Sequence, residues 1–196
     1  MRADLQFAKN IFILTGANRD LERFGGIDFW KTRLFLGGSV NTSRRISVGG
    51  YFTQGDQVRY LSDPFLGRGG NSSLYITLRP FTRLQSQINV TTSRLVDPRL
   101  EIATNVFDVK LYRAQTTYQF SDRLLARNIT EYNSFDKTLG LNLLVTYRVN
   151  AGTVFYLGYD DRYKQGRLIS ETLFPTTGYE RTNRAFFTKL QYLFRY

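Results

Sequence analysis

Residues 184–196 read RAFFTKLQYLFRY. Taken every second residue, they separate into two rows. Phe186, Thr188, Leu190, Tyr192, Phe194 and Tyr196 make one row, and Phe187, Lys189, Gln191, Leu193 and Arg195 make the other. A period of two is the period of a β-strand. The segment is therefore expected to be a strand with one face almost wholly apolar and the other mixed and charged. In an outer-membrane β-barrel the closing strand sets an aromatic row against lipid and a polar row into the lumen. On that reading Phe186, Leu190, Tyr192, Phe194 and Tyr196 face lipid, and Lys189 faces the lumen.

Segments upstream show the same alternation. In 3–14, Leu5, Phe7, Ile11 and Ile13 share a face, with Lys9 intruding. In 28–40, Trp30, Leu34, Leu36 and Val40 oppose Lys31 and Arg33. In 45–53, Ile46, Val48, Gly50 and Phe52 oppose Arg45, Ser47, Gly49, Tyr51 and Thr53. Leu74, Ile76 and Leu78 oppose Tyr75, Thr77 and Arg79, and Pro80, which has no N–H to give a ladder, marks a turn. Residues 84–94 alternate again. In 106–119 the apolar parity changes from Phe107, Val109 and Leu111 to Ala114, Thr116 and Tyr118, which a β-bulge near Tyr112 would reconcile. In 124–133, Leu124, Ala126 and Tyr132 oppose Arg127 and Glu131. Leu139 to Tyr147 alternate against Asn142, Thr146 and Arg148, and Phe155, Leu157 and Tyr159 alternate against Asp160 and Arg162.

Between these segments the connections at 41–44, 80–83, 121–123 and 149–152 are short. Those at 15–27, 54–72, 96–105, 134–138 and 163–183 read as mostly long loops. Such an alternation fits an up-and-down barrel of about ten strands, with short periplasmic turns and longer extracellular loops. The expected fold is thus all-β, an antiparallel transmembrane barrel formed by one domain over residues 1–196. Soluble β-sandwiches also alternate, but the long strands, the rhythm of the connections and the aromatic final strand favour the barrel.

Composition narrows the function. The chain has 42% hydrophobic residues, 13 Tyr and 16 Phe, and a mean hydropathy of −0.32. No apolar run reaches the length of a transmembrane helix, and alternating strands need none. Histidine and cysteine are both absent, which removes histidine-dependent catalysis and thiolate or imidazole metal sites. No enzyme activity and no cofactor are expected. The formal charge of +11 is spread over strand ends, turns and polar rows rather than gathered in a basic run. That distribution points to anionic lipid headgroups and lipopolysaccharide, not nucleic acid. The opening MRADLQFAKNIFILTG has neither a continuous apolar h-region nor a small-residue cleavage site. A mature chain, or the C-terminal part of a longer one, is expected.

Several stretches carry a resemblance: Tyr118–Phe120, the run Glu131–Ser134, Gly152 to Phe155, and the closing Phe187–Tyr192. Over about residues 73–196 the chain resembles the C-terminal barrel of the DUF5916 family, bacterial outer-membrane proteins of uncharacterised function. In that family the barrel typically follows a periplasmic domain like the family 9 carbohydrate-binding modules. That domain is not among these residues, so the resemblance implies a C-terminal piece of a larger barrel. It also implies a link to saccharide handling that belongs to the missing domain.

The candidate site is the polar row: Lys31, Arg33, Arg45, Arg79, Arg127, Glu131, Arg148 and Lys189, read as lumen-facing. Arg127 and Glu131 lie four apart on one strand face, so cross-strand partners are expected for each. Asp56, Asp160 and Asp161 read as solvated acids at loop edges, Gly67 to Gly70 as flexible loop, and Trp30 as a girdle residue at the membrane interface. The expected function is an outer-membrane pore or docking barrel. The alternative is a non-conducting anchor whose loops or partner domain do the work, since small barrels are largely filled by side chains. Expected partners are outer-membrane lipid, lipopolysaccharide, the barrel-assembly machinery at the C-terminal strand, and a saccharide. The expected location is the bacterial outer membrane.

Overall fold

A computed structural model of the chain describes residues 1–41, 43–99, 104–169 and 172–193. Every regular element among them is a strand. In chain order they are β1 (Arg2–Phe7), β2 (Ile11–Phe24), β3 (Ile27–Val40), β4 (Ile46–Arg59), β5 (Phe65–Phe81), β6 (Leu84–Asp97), β7 (Thr104–Gln119), β8 (Leu124–Asn133), β9 (Thr138–Asn150), β10 (Thr153–Ile169) and β11 (Thr172–Tyr192). They form one antiparallel up-and-down sheet in the order β1 to β11. There are therefore eleven strands rather than about ten.

The additional strand comes from 3–14, which a turn at 8–10, with Lys9 and Asn10 at φ values of 64° and 56°, divides into β1 and the start of β2; the stretch 15–24 is not a loop either. Its residues belong to β2, which pairs with β3 without interruption from Ile11↔Val40 to Phe24↔Ile27. Asn18, Asp20 and Glu22 alternate with Arg19, Leu21 and Arg23, so both faces are largely polar and the hydrophobic period is hidden. The backbone ladder continues regardless. It closes on Gly25 and Gly26, whose φ values of 59° and 79° are those that a tight two-residue hairpin turn needs. Two of the other long loops resolve in the same way, while 134–137 do form the connection between β8 and β9, and the expected loop 96–105 lies partly outside the described residues. Residues 54–72 contain only a short connection, 60–64, between β4 and β5, and the expected flexible run Gly67 to Gly70 is strand. Residues 163–183 are mainly the outer halves of β10 and β11, with register shifts between Arg162 and Tyr163 and between Gln165 and Arg167. The expected alternation of short and long connections is thus replaced by strands that run on past the apolar stretch.

No bulge sits at Tyr112 in the pairing of β7 with β8, which runs unshifted from Leu111↔Asn133 to Gln119↔Leu125. Leu111 shares its face with Arg113 and Gln115 there. From Leu111 to Gln119 the strand thus keeps one register against β8.

The described residues divide into two compact units, Met1–Ile76 with Asn89–Lys110, and Thr77–Ile88 with Leu111–Tyr196. In the first, register assigns Ile11, Ile13, Leu34, Leu36, Val40, Val48 and Phe52 to one face. In the second it assigns Ala126, Leu141, Leu143, Val145, Phe155, Leu157, Phe186 and Leu190 to one face. These faces are open: Leu36 is 52% exposed and Phe186 72%. Among the described residues only Phe29, Val58, Phe65 and Leu95 are buried apolar side chains, and all four lie in the first unit. An apolar face of this extent is far larger than the scattered surface hydrophobics of a soluble monomer.

Glycines on the opposite, polar face take up aromatic rings from the following strand. Phe35 of β3 lies over Gly16 of β2, Tyr51 of β4 over Gly37 of β3, and Tyr75 of β5 over Gly49 of β4. Phe187 of β11 covers Gly158 of β10 in the second unit. A β-carbon at Gly49 would meet the Tyr75 ring at 2.6 Å, so each glycine is a notch that any side chain would fill. Glycine–aromatic pairs of this kind pin strands that glycine alone would weaken.

Candidate functional site

The polar faces carry the charged side chains, because register sets them opposite the apolar rows. In the first unit, Lys31 of β3 stands across from Asp20 of β2 and is only 8% exposed. Its Nζ lies 2.8 Å from Asp20 Oδ2 and 2.5 Å from Glu22 Oε2. Arg33 reaches Asp20 at 3.4 Å, and the Tyr60 hydroxyl donates to Glu22 at 2.5 Å. The group is closely self-neutralised: a buried ammonium is tolerable only with such partners.

At the same end of the first unit, Arg99 lies with its guanidinium 3.9 Å from the centre of the Phe65 ring. It pairs with Asp97 at 2.9 Å and Asp63 at 3.3 Å. The arrangement clamps the strand end.

The second unit is different. Its registers put Arg113, Arg127, Arg148, Arg162, Lys164 and Lys189 on the polar face, with Glu131, Asp160 and Glu180, which stands across from Lys164, as the counter-charges on those paired stretches. Glu131 pairs with the directly opposed Arg113 at 3.6 Å, and Asp160 with Arg162 at 3.3 Å. Both pairs are open enough to be worth less than about 1 kcal/mol each. The Arg127 Nε is enclosed without a hydrogen-bond partner. Arg148 and Lys189 have no carboxylate partner among the described residues, and Lys189 lies over the Tyr156 ring at 5.9 Å. A polar groove of about 550 Å³ opens beside Arg113, Glu131, Asn142, Asp160, Arg162 and Thr182. Its lining offers cationic donors and amide and hydroxyl groups together, a set suited to a hydroxylated or anionic solute.

The predicted polar residues therefore separate. Lys31 and Arg33 belong to the neutralised group of the first unit. Arg127, Glu131, Arg148 and Lys189 belong to the cationic face of the second. Arg79 bonds Gln85 Oε1 at 3.2 Å, at the strand end before Pro80. Arg45 is not on a strand at all: β4 begins at Ile46, and Arg45 sits exposed in the preceding turn. Of the expected lipid-facing row, Phe186, Leu190 and Tyr192 lie on the apolar side of β11, while Phe194 and Tyr196 lie outside the described residues.

The acids read as loop-edge charges lie within strands. Asp56 of β4 accepts the Thr32 backbone N–H at 2.9 Å, next to Gly55, whose φ is 150°. Asp160 accepts from Asn183 at 3.2 Å. Asp161 is 3% exposed and binds the hydroxyls of Tyr159 and Tyr163 at 2.6 and 2.8 Å and the Arg181 Nε at 2.9 Å. Asp20, Glu22 and Arg113 were missed as members of the polar faces. The period-two row Asn18, Asp20, Glu22 was the signal for the first two.

Among the described residues no group of three or more acids could hold a metal ion. Compared with known proteins, the chain matches no family model and no curated sequence.

Proposed function

We propose that this chain forms the wall of an outer-membrane β-barrel whose polar face lines a passage or docking surface for polar solutes, anionic ones preferentially. The observation that carries the reading is the excess of cations on the polar face of the second unit, with Arg127, Arg148 and Lys189 lacking a carboxylate partner among the described residues. Cations that serve only to hold a structure are normally matched, as Lys31 is; unmatched ones are available to a ligand. The open apolar faces support lipid as the surrounding medium. In this reading outer-membrane lipid and lipopolysaccharide cover them, and the barrel-assembly machinery engages the closing strand. The resemblance to DUF5916 barrels adds saccharides, including acidic ones, as the solute class to try first.

The test is conductance of the full chain in planar bilayers under a salt gradient. The expected result is a channel whose reversal potential favours anions, and replacement of Arg127 and Arg148 by Glu moves that potential towards cation preference. Absence of conductance and of saccharide flux overturns the passage. A second reading, a non-conducting anchor, is favoured by the neutralised Lys31–Asp20–Glu22 group and by the aromatic rings laid across the polar face. Both features fill an interior instead of opening it.

A further inference from the structure

On the apolar face of the first unit, Gly38 and Gly50 are directly paired between β3 and β4. Neither carries a side chain, so the face is interrupted by a trough. Leu36 and Phe52 wall it on one side of the glycine pair, and Val40 and Val48 on the other. The trough measures about 480 Å³ and its lining is almost wholly apolar. It is a linear apolar slot between raised side chains, the shape a fatty acyl chain fills.

Charge identifies the molecule that would own that chain. The trough lies two residues in from the strand ends that carry the β1–β2 and β3–β4 turns, which the pairing Ile11↔Val40 and the bond from Asn41 N to Asn10 O, 3.1 Å, hold side by side. Lys9 stands in one turn, and Arg44 and Arg45 in the other, all exposed. No acidic residue occurs in residues 5–19 or 29–55, so this end is cationic with no carboxylate of its own in those stretches. An apolar trough close beside these cations is complementary to an acyl tail joined to an anionic headgroup.

We infer that the Gly38–Gly50 trough with Lys9, Arg44 and Arg45 is a binding site for an anionic diacyl glycerophospholipid, one tail lying in the trough and the phosphate against the turn cations. The inference rests on the membrane-barrel reading proposed above.

The full chain, refolded into detergent micelles, is titrated with phosphatidylglycerol or phosphatidylcholine and followed by native mass spectrometry. The expected result is preferential retention of phosphatidylglycerol. The double variant R44Q/R45Q loses that preference by about tenfold. The control R19Q/R23Q, which removes the same charge further along β2, keeps it. Val48→Phe fills the trough and weakens retention of both lipids alike; if it does not fold, R44Q/R45Q still decides. Equal retention of both lipids by the natural chain, or unchanged preference in R44Q/R45Q, overturns the site. So does stronger retention of lipid A. So does ready disulfide formation between two copies of Val48→Cys, which would put a second copy on the trough. Vesicle flotation after a urea wash separates the two readings: a chain that does not stay with vesicles sinks the barrel and the site together. A chain that stays but does not discriminate between the lipids sinks the site alone.

Discussion

Lys31 shows how a residue can be legible in sequence and yet mean something different in place. Its parity opposite Trp30 and Leu34 put it on the polar side, and it is there. What period alone could not supply was its company. Asp20 and Glu22 come from a stretch polar on both faces, which hydrophobic alternation cannot register, so the sequence did not show that this lysine, read as lumen-facing, is a buried, bridged ammonium. Its removal leaves two carboxylates side by side on one face of β2, with Arg33 and Tyr60 to answer them. Lys31→Met is expected to cost about 2 kcal/mol of unfolding free energy, less than a fully buried pair because both acids are partly exposed. Urea unfolding from lipid vesicles measures it, and a change below about 0.5 kcal/mol would show that the group contributes little.

At the scale of the element, existence and face were readable wherever one face is apolar: β3, β4, β8, β9, β10 and the described part of β11 have the sidedness their alternation dictates. Boundaries were not. Outside an apolar environment nothing requires alternation, yet the ladder of backbone hydrogen bonds still pays back each added residue, so β2, β5, β10 and β11 run on through sequence that reads as loop. Turn chemistry was the remaining signal. Gly25 and Gly26 between two polar runs are a hairpin turn by type, and the strand follows from the turn rather than from the pattern. Since both occupy left-handed φ, the double replacement by Ala is expected to cost about 1–2 kcal/mol per position. Equilibrium unfolding of that variant should show the loss, whereas a loop of indifferent conformation would show none.

For the whole molecule, the sheet order ends at β1 and β11, and the described residues give neither strand a second neighbour. Lipid does not tolerate a row of unpaired N–H and C=O groups, so in a membrane these edges must close on one another or on further chain. The full chain refolded into vesicles is expected to run as a compact band on unheated SDS gels and to shift on boiling. A chain that migrates identically before and after boiling would mean that its edges stay open and that closure needs additional strands. This level was the least accessible to sequence, because alternation records which way each side chain points and carries no count of the strands needed to make a ring.

The aromatic rings seated on glycines bear on how the chain avoids folding into a near copy of itself. Alternation forbids a slip of one residue between neighbouring strands, since that would turn every apolar side chain over. It is blind to a slip of two, which restores every side chain to its proper face. The notches remove that degeneracy. Two residues away from Gly16, the Phe35 ring would meet Leu14 or Asn18; away from Gly37, the Tyr51 ring would meet Phe35 or Ser39; away from Gly49, the Tyr75 ring would meet Ser47 or itself face Tyr51; away from Gly158, the Phe187 ring would meet Tyr156 or Asp160. Each position accepts a ring in one register and rejects it in the two nearest alternatives. Four glycines thus act as error-correcting marks, supplying the information about alignment that a two-letter pattern of apolar and polar residues does not contain.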